Sequence, residues 1–296
     1  MVAKERSNFH IRMGNSSAKG PIDHVEIIEP DGGGLSDAEF STALRTNLPR
    51  LFAYAKSLDS KAQMLVAERL ANEAVVAQRQ GEIVALGGLT LLVPLARSRD
   101  AEVQRLATHA LANLSALAAN QRAIAASPEC LGVLLHLLAS PLPEVQRQAA
   151  KTVANISVVP ENMKLIGGGG GVQPLVLLLS SRAPKTRVEA VAAVANLAVD
   201  DANEKMFVEA GAFARLVAAV PRPLPTDGGG VDLCTQVARA LRNLSARKEH
   251  AEALRATEGA LELIALMCAC GDERVRSQAE IAREHVRAVA PPPLKT

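Results

Sequence analysis

The stretch Ala110-Leu-Ala-Asn113-Leu-Ser115 returns with small changes along most of the chain. It reads Thr152-Val-Ala-Asn155-Ile-Ser157, then Ala193-Val-Ala-Asn196-Leu-Ala198, then Ala240-Leu-Arg-Asn243-Leu-Ser245, with a fainter copy at Arg69-Leu-Ala-Asn72-Glu-Ala74. Successive asparagines stand 41, 42, 41 and 47 residues apart. A fixed period of this length marks stacked helical repeats of two or three helices each. One such unit cannot bury its own apolar faces, so neighbours must stack to build a continuous core.

Composition agrees with helix stacking. Of 296 residues, 48% are hydrophobic but only 2% aromatic, with no Trp and one Tyr. The core must therefore be Leu, Val, Ile and Ala, and Ala and Leu are strong helix formers. A β-sandwich or barrel would carry more aromatic and β-branched residues. The net charge of +2 is too small to imply nucleic-acid binding. Cys130, Cys234, Cys268 and Cys270 lack a disulfide-framework spacing, which points to a reducing compartment. There is no run of eighteen or more apolar residues, so no membrane-spanning helix is expected. The first twenty residues lack the apolar core of a secretion signal, so a cytoplasmic location is expected.

Residues 1–35 are rich in Gly, Asn, Ser and Lys and end in Pro30-Asp-Gly-Gly-Gly34. Too little apolar surface is available there to offset ordering entropy, so a disordered tail is expected. Val25-Glu-Ile-Ile28 is a short apolar patch able to dock on the first repeat. Ser36-Asp-Ala-Glu39 reads as a capping box that opens the ordered domain. Six units are expected within 36–289: 36–79, 80–119, 120–161, 162–202, 203–250 and 251–289, with 290–296 as a C-terminal tail.

Each unit reads as a short helix, a turn, a Leu-rich second helix and a longer third helix that carries the asparagine. Counting back 25 residues from three asparagines places the turn at Gly88, Cys130 and Gly171. Glycine ends helices readily because it adopts positive φ cheaply; Cys130 breaks that pattern. Asn120, Asn162 and Asn203 fall where first helices begin, as N-caps would. In the third helix, Val145, Ala149, Thr152, Val153 and Ile156 form one apolar stripe. Ala149 shares its register with Val66, Ala190, Val237 and Ala279, where a small side chain lets the next helix approach. Pro221 to Gly230 has the chemistry of an inserted loop between second and third helices. In the sixth unit His285 stands in the asparagine position, and this unit is expected to close the stack.

These residues resemble the armadillo repeat family over nearly all of 36–289, on the period, the turn glycines and four good copies of the Leu-x-Asn-Leu-Ser third helix. Within the family the run of adaptor-type repeats is most similar to the vacuolar armadillo adaptors. The resemblance implies an all-α, right-handed α-solenoid of about six armadillo repeats, three helices each. It also implies a non-catalytic protein–protein scaffold, whose third helices line a concave groove where the asparagines hold the main chain of an extended peptide. Carried over position by position, this implicates Asn72, Asn113, Asn155, Asn196 and Asn243. An asparagine amide offers both a donor and an acceptor, so it pairs with any peptide bond. The nuclear-import carriers of the family place a Trp four residues earlier; here Glu68, His109, Lys151, Ala192 and Arg239 stand there. A receptor for basic import signals is therefore not expected.

Residues one and two turns before the asparagine share its helix face. They include His109, Arg105, Lys151, Arg147 and Arg239, interrupted by Glu189. A basic groove of this kind predicts an acidic or phosphorylated extended peptide as ligand. The plainer alternative is that long charged side chains only solvate an exposed face.

Other signals carry less. Gly167 to Gly171 is followed by Val172-Gln-Pro-Leu175 rather than the Gly-Lys-Ser/Thr of a phosphate loop. Cys268-Ala-Cys270 has no second ligand pair. With no nucleophile elbow and no paired carboxylates, no catalytic residue, metal or cofactor is expected, and the chain is read as no enzyme. Met13-Gly-Asn-Ser-Ser-Ala-Lys19 is similar to a myristoylation sequence, which needs an exposed N-terminal glycine. An alternative start at Met13 would expose Gly14, and the rival reading is then a lipid-tethered armadillo scaffold that positions an organelle such as the vacuole. Partners are expected to be proteins, held through extended segments.

Overall fold

The computed structural model describes His10–Ile11, Ile27–Ile28 and residues 37–289. It divides into two units, 1–48 and 49–296. In the first, β1 (His10–Ile11) pairs antiparallel with β2 (Ile27–Ile28), so the apolar Ile27 and Ile28 lie opposite Ile11 and His10. The remainder of the N-terminal tail, with Gly14 and Ser36, and the tail after Val289 lie outside the described residues, as does the side chain of Glu39.

The second unit is helical throughout its described residues. It takes in the end of α1 (Asp37–Lys56) and then α2 (Ser60–Ala74). Five triplets follow. They are α3 (Ala77–Ala85), α4 (Gly88–Ala96) and α5 (Ala101–Leu114); α6 (Ala118–Ala126), α7 (Pro128–Leu137) and α8 (Pro143–Ile156); α9 (Pro160–Gly168), α10 (Val172–Leu178) and α11 (Pro184–Leu197); α12 (Asp201–Glu209), α13 (Ala212–Ala219) and α14 (Gly228–Leu244); and α15 (Lys248–Ala256), α16 (Ala260–Cys268) and α17 (Glu273–Ala288). This is the all-α solenoid that the period predicts, with five three-helix units following α1 and α2.

The long third helices form its spine. α2, α5, α8, α11, α14 and α17 each pack on the next. The position six residues before each asparagine, and before His285 on α17, is Val66, Ala107, Ala149, Ala190, Val237 or Ala279, and each is fully buried. A larger residue there would overpack the closest helix–helix approach. Leu91, Leu92, Leu95, Leu134, Leu137 and Leu138 fill the layer behind, from α4 and the end of α7.

The turns after the first helices fall one residue earlier than the spacing predicts. Gly87, Gly170, Gly211 and Gly259 have φ of 87°, 88°, 76° and 70°, where a Cβ would be strained. The second triplet solves the same turn without glycine. Ser127 is extended, its hydroxyl accepts from the Cys130 N–H at 3.3 Å, and Pro128 opens α7, so a cap and a first-turn proline replace the left-handed residue. Cys130 lies inside α7 rather than in the turn, and burial pushes its thiol up to about 12.

Asn120, Asn162 and Asn203 do not cap helices. They occupy the third position of α6, α9 and α12, and the caps are Leu117, Val159 and Asp200. Each asparagine is buried and bonds to the preceding unit. Asn120 Nδ2 donates to Gln80 O and Leu114 O, both at 3.0 Å. Asn162 Nδ2 donates to Gln121 O at 3.0 Å and Ile156 O at 2.9 Å, and Asn203 Nδ2 to Met163 O at 2.9 Å. At the next boundary His250 meets the Glu204 carboxylate at 2.8 Å. Gly167 belongs to this row because a Cβ there would strike the Asn203 amide. A second set of bonds closes each unit: Gln63, Gln104 and Gln146 donate to carbonyls at the end of the preceding helix. The inserted segment is shorter than expected, since Gly228 to Gly230 form the first turn of α14, capped by Asp227.

Asn162→Ala removes both side-chain hydrogen bonds that tie α9 to the preceding unit and is expected to cost about 2 kcal/mol. The exposed Asn72→Ala should stay within about 0.5 kcal/mol of wild type. Urea unfolding of the two variants checks this.

Candidate functional site

The face to consider is the one shared by the third helices. Asn113, Asn155, Asn196 and Asn243 end α5, α8, α11 and α14 in a common register and are half-buried; Asn72, on α2, is exposed. Their amides are not idle. Asn155 Nδ2 donates to Ser115 Oγ at 3.0 Å. Asn196 Nδ2 donates to Ser157 Oγ at 3.1 Å and Ala154 O at 3.0 Å. Asn243, facing Ala198 instead of a serine, reaches Ala195 O at 2.7 Å. His285 takes the asparagine position on α17 and contacts Ser245 Oγ at 3.0 Å. The serines are fully buried and donate in turn to carbonyls of their own helices, Ser115 to Ala112 O and Ser157 to Ala154 O. Each hydroxyl thus gives one bond within its unit and receives one from the next.

The acceptor ends of these amides differ along the row. Asn196 Oδ1 accepts from Arg239 at 2.6 Å, and Asn243 Oδ1 accepts from Arg242 at 2.9 and 2.8 Å. Asn113 differs in that its donor end, Nδ2, meets His109 Nε2 of its own helix at 3.5 Å. Both amide ends of Asn196 and Asn243 are therefore engaged within the protein.

The cations fall into two groups. Arg105 is gripped by Glu102 at 2.7 and 2.5 Å, and Arg147 by Glu144 at 3.0 and 2.5 Å. These bidentate pairs raise both arginines and lower both carboxylates in pKa, so the centre of the face is more nearly balanced in charge than its row of cations suggests. His109, half-buried beside Arg105 and Lys151, is held below its ordinary pKa by burial and by those charges. Lys151, Arg239 and Arg242 have no carboxylate in ion-pair range among the described residues. Burial, then Arg242, lowers the pKa of Arg239. Burial also raises Glu189, against the pull of Lys151 and Arg147.

The buried side-chain N and O atoms without a hydrogen-bond partner among the described residues all lie on α8, α11, α14 and α17. They include Gln148 Oε1, Gln236 Oε1 and Arg239 Nε. Gln148, Glu189 and Gln236 share one register, seven residues before the asparagine. Buried polar groups are normally satisfied, so this concentration sets the third-helix face apart from the rest of the stack.

An armadillo-like family model matches residues 47–219. The chain belongs to the armadillo-like family. Solved armadillo-type structures cover nearly the same helices. An engineered protein is 33% identical with a TM-score of 0.69, over 82% of this chain and 97% of its own. A computationally designed armadillo repeat protein for modular peptide recognition is 27% identical, TM-score 0.69, over 80% and 99%. A designed armadillo repeat protein in complex with the peptide (KR)4 is 26% identical, TM-score 0.67, over 81% and 99%. No curated protein matches the chain. Among the described residues no helix of this armadillo protein is long and apolar enough to cross a membrane.

The armadillo period makes the asparagine row readable in sequence; the serines two residues on recur in three of the same copies, but their bonds to the next unit appear only in the structure. The ion pairs of Arg105 and Arg147 also had a sequence signal, a glutamate three residues earlier on the same helix.

Glu189→Gln tests the charge environment. At pH 7 wild type carries a desolvated carboxylate; the unfolded chain ionises it at its ordinary pKa, so wild-type stability falls as pH rises through that range. The variant should gain roughly 0.5 kcal/mol at pH 7 and nothing below about pH 4, where Glu189 is neutral in both states. Thermal unfolding at the two pH values reads the difference.

Proposed function

We propose that this armadillo protein is a non-catalytic adaptor that captures an extended protein segment bearing acidic residues along its third-helix face. The main chain of the segment would lie on Asn72, Asn113, Asn155, Asn196 and Asn243, and its carboxylates would meet Lys151, Arg239 and Arg242. The observation that carries this reading is the asparagine row itself, one amide per unit in a single register, beside cations without carboxylate partners. The designed relatives support its general form, since one is described for modular peptide recognition and another holds (KR)4. The charge is expected to be opposite here, because Lys151 and Arg239 stand four residues before the asparagine.

The arginines suggest the order of events. Arg239 and Arg242 occupy the acceptor ends of Asn196 and Asn243. A carboxylate on the incoming segment competes for those guanidiniums in a stronger, charge-assisted bond. The amides it releases are then free to receive peptide N–H groups. Electrostatic attraction thus brings the segment in, and the amide row fixes its main chain without reading its side chains. Arg105 and Arg147 play a smaller part than their position implies, because Glu102 and Glu144 already hold them.

The test is a titration of a fluorescent twelve-residue Glu/Ser peptide and its Lys/Ser counterpart. The acidic peptide should bind more tightly than the basic one and lose affinity with added salt. Lys151→Glu with Arg239→Glu should weaken the acidic peptide by about tenfold or more, the effect of roughly 1.4 kcal/mol. Arg105→Gln with Arg147→Gln should change it less. Equal affinity for both peptides, unaffected by these variants, would remove the acidic specificity.

A further inference from the structure

We propose that the third-helix face selects segments in which apolar and acidic residues alternate, and that an exposed apolar strip beside the asparagine row supplies half of that selection. The proposal rests on peptide capture as argued above and specifies which segments are captured.

Three residues beyond each asparagine stand Val75, Ala116, Val158, Val199 and Ala246, one per unit, and all are exposed. The three valines are 62%, 53% and 62% exposed. A lone exposed valine needs no explanation, but apolar residues that recur at one register over five units form an ordered row. Its place relative to the asparagines follows from the backbone. The N–H groups of Val75, Ala116, Val199 and Ala246 donate to the carbonyls of Asn72, Asn113, Asn196 and Asn243 at 3.4, 3.1, 3.3 and 3.4 Å. Each strip residue is therefore one tight turn past its asparagine, and residues three apart in such a turn eclipse. The strip runs along the C-terminal side of the amide row.

The other side of the row differs. Four residues before the asparagines, also on the same face, stand Glu68, His109, Lys151, Ala192 and Arg239; the row opens on an acid in the first unit and turns cationic beyond it, where Lys151 and Arg239 are free of carboxylate partners among the described residues. Three rows thus run parallel across the helices: apolar, amide, and polar to cationic.

An extended chain points successive side chains to opposite sides. With its main chain on the amide row, every second side chain faces the apolar strip and the others face the cations. Apolar side chains on one side would cover the valines, and carboxylates on the other would meet Lys151 and Arg239. A uniformly acidic segment would desolvate carboxylates against the valines, and a uniformly apolar one would cover the cations without pairing them.

The experiment compares three labelled dodecapeptides by fluorescence anisotropy at pH 7.5: alternating Val-Glu, the same composition as a Val block followed by a Glu block, and alternating Ser-Glu. The alternating Val-Glu peptide should bind about tenfold more tightly than either of the others, the scale expected for covering a few half-exposed valines. Val158→Ser with Val199→Ser, both at exposed turns, should erase that advantage while leaving Ser-Glu affinity and the circular dichroism spectrum unchanged. Equal affinities for Val-Glu and Ser-Glu, both reduced by Lys151→Glu with Arg239→Glu, would overturn the strip and leave peptide capture standing. Absence of binding by all three peptides would overturn both. Loss of self-association in the serine variant on sedimentation, with peptide affinities unchanged, would also overturn the proposal and assign the strip to a second copy of the chain.

Discussion

Asn155 reaches across a repeat boundary to the hydroxyl of Ser115, and Ser115 passes a bond on to the carbonyl of Ala112. This shared hydrogen bond, repeated at Asn196–Ser157 and His285–Ser245, fixes the phase of each third helix relative to the one before. Without it, the Val and Ala stripe would still drive helices together, since apolar burial is strong but non-directional. It would not decide which turn of one helix meets which turn of the next. The polar rows do, because a buried hydroxyl or carbonyl left unpaired costs more than a paired one gains. A second row, Asn120, Asn162 and Asn203, sets the same phase on the side of the first helices. The armadillo stack is thus registered on two edges, and the alignment of the proposed binding residues is a consequence.

The same geometry gives the asparagines two roles. The donors of Asn155, Asn196 and Asn243 hold the neighbouring unit, and the acceptors of Asn196 and Asn243 hold arginine, which the proposed ligand would displace. At Asn196 and Asn243 the arginine is in place, and in the proposed function it yields to a ligand that can draw the guanidinium away. A segment with acidic side chains can do so, and a neutral one has less to offer. Affinity for charge and access to the amides become linked.

Much of this was legible before any coordinates. The period gave the architecture, and the small residue at Ala149 marked the closest helix approach. The places where the reading slipped share a cause: local propensity was favoured over the repeat. Asparagine favours helix starts, which points Asn120, Asn162 and Asn203 to capping, yet their spacing equals that of the third-helix asparagines and reflects bonding between units. Arg105 and Arg147 were read as free charge although Glu102 and Glu144 stand one turn away. The turn was placed at Gly88 and Gly171, and the left-handed residues proved to be Gly87 and Gly170, because neighbouring glycines cannot be told apart by composition. The valine strip was visible only once exposure was known; in sequence Val158 and Val199 resemble any other aliphatic residue.

The most direct measurement follows the side-chain amide signals of a nitrogen-labelled sample as the alternating acidic peptide is added. If the third-helix row is the binding surface, the amides of Asn113, Asn155, Asn196 and Asn243 shift together and saturate at one affinity, while those of Asn120, Asn162 and Asn203, buried between first helices, stay in place. Stationary groove amides at saturating peptide, or movement confined to the other three, would contradict the account.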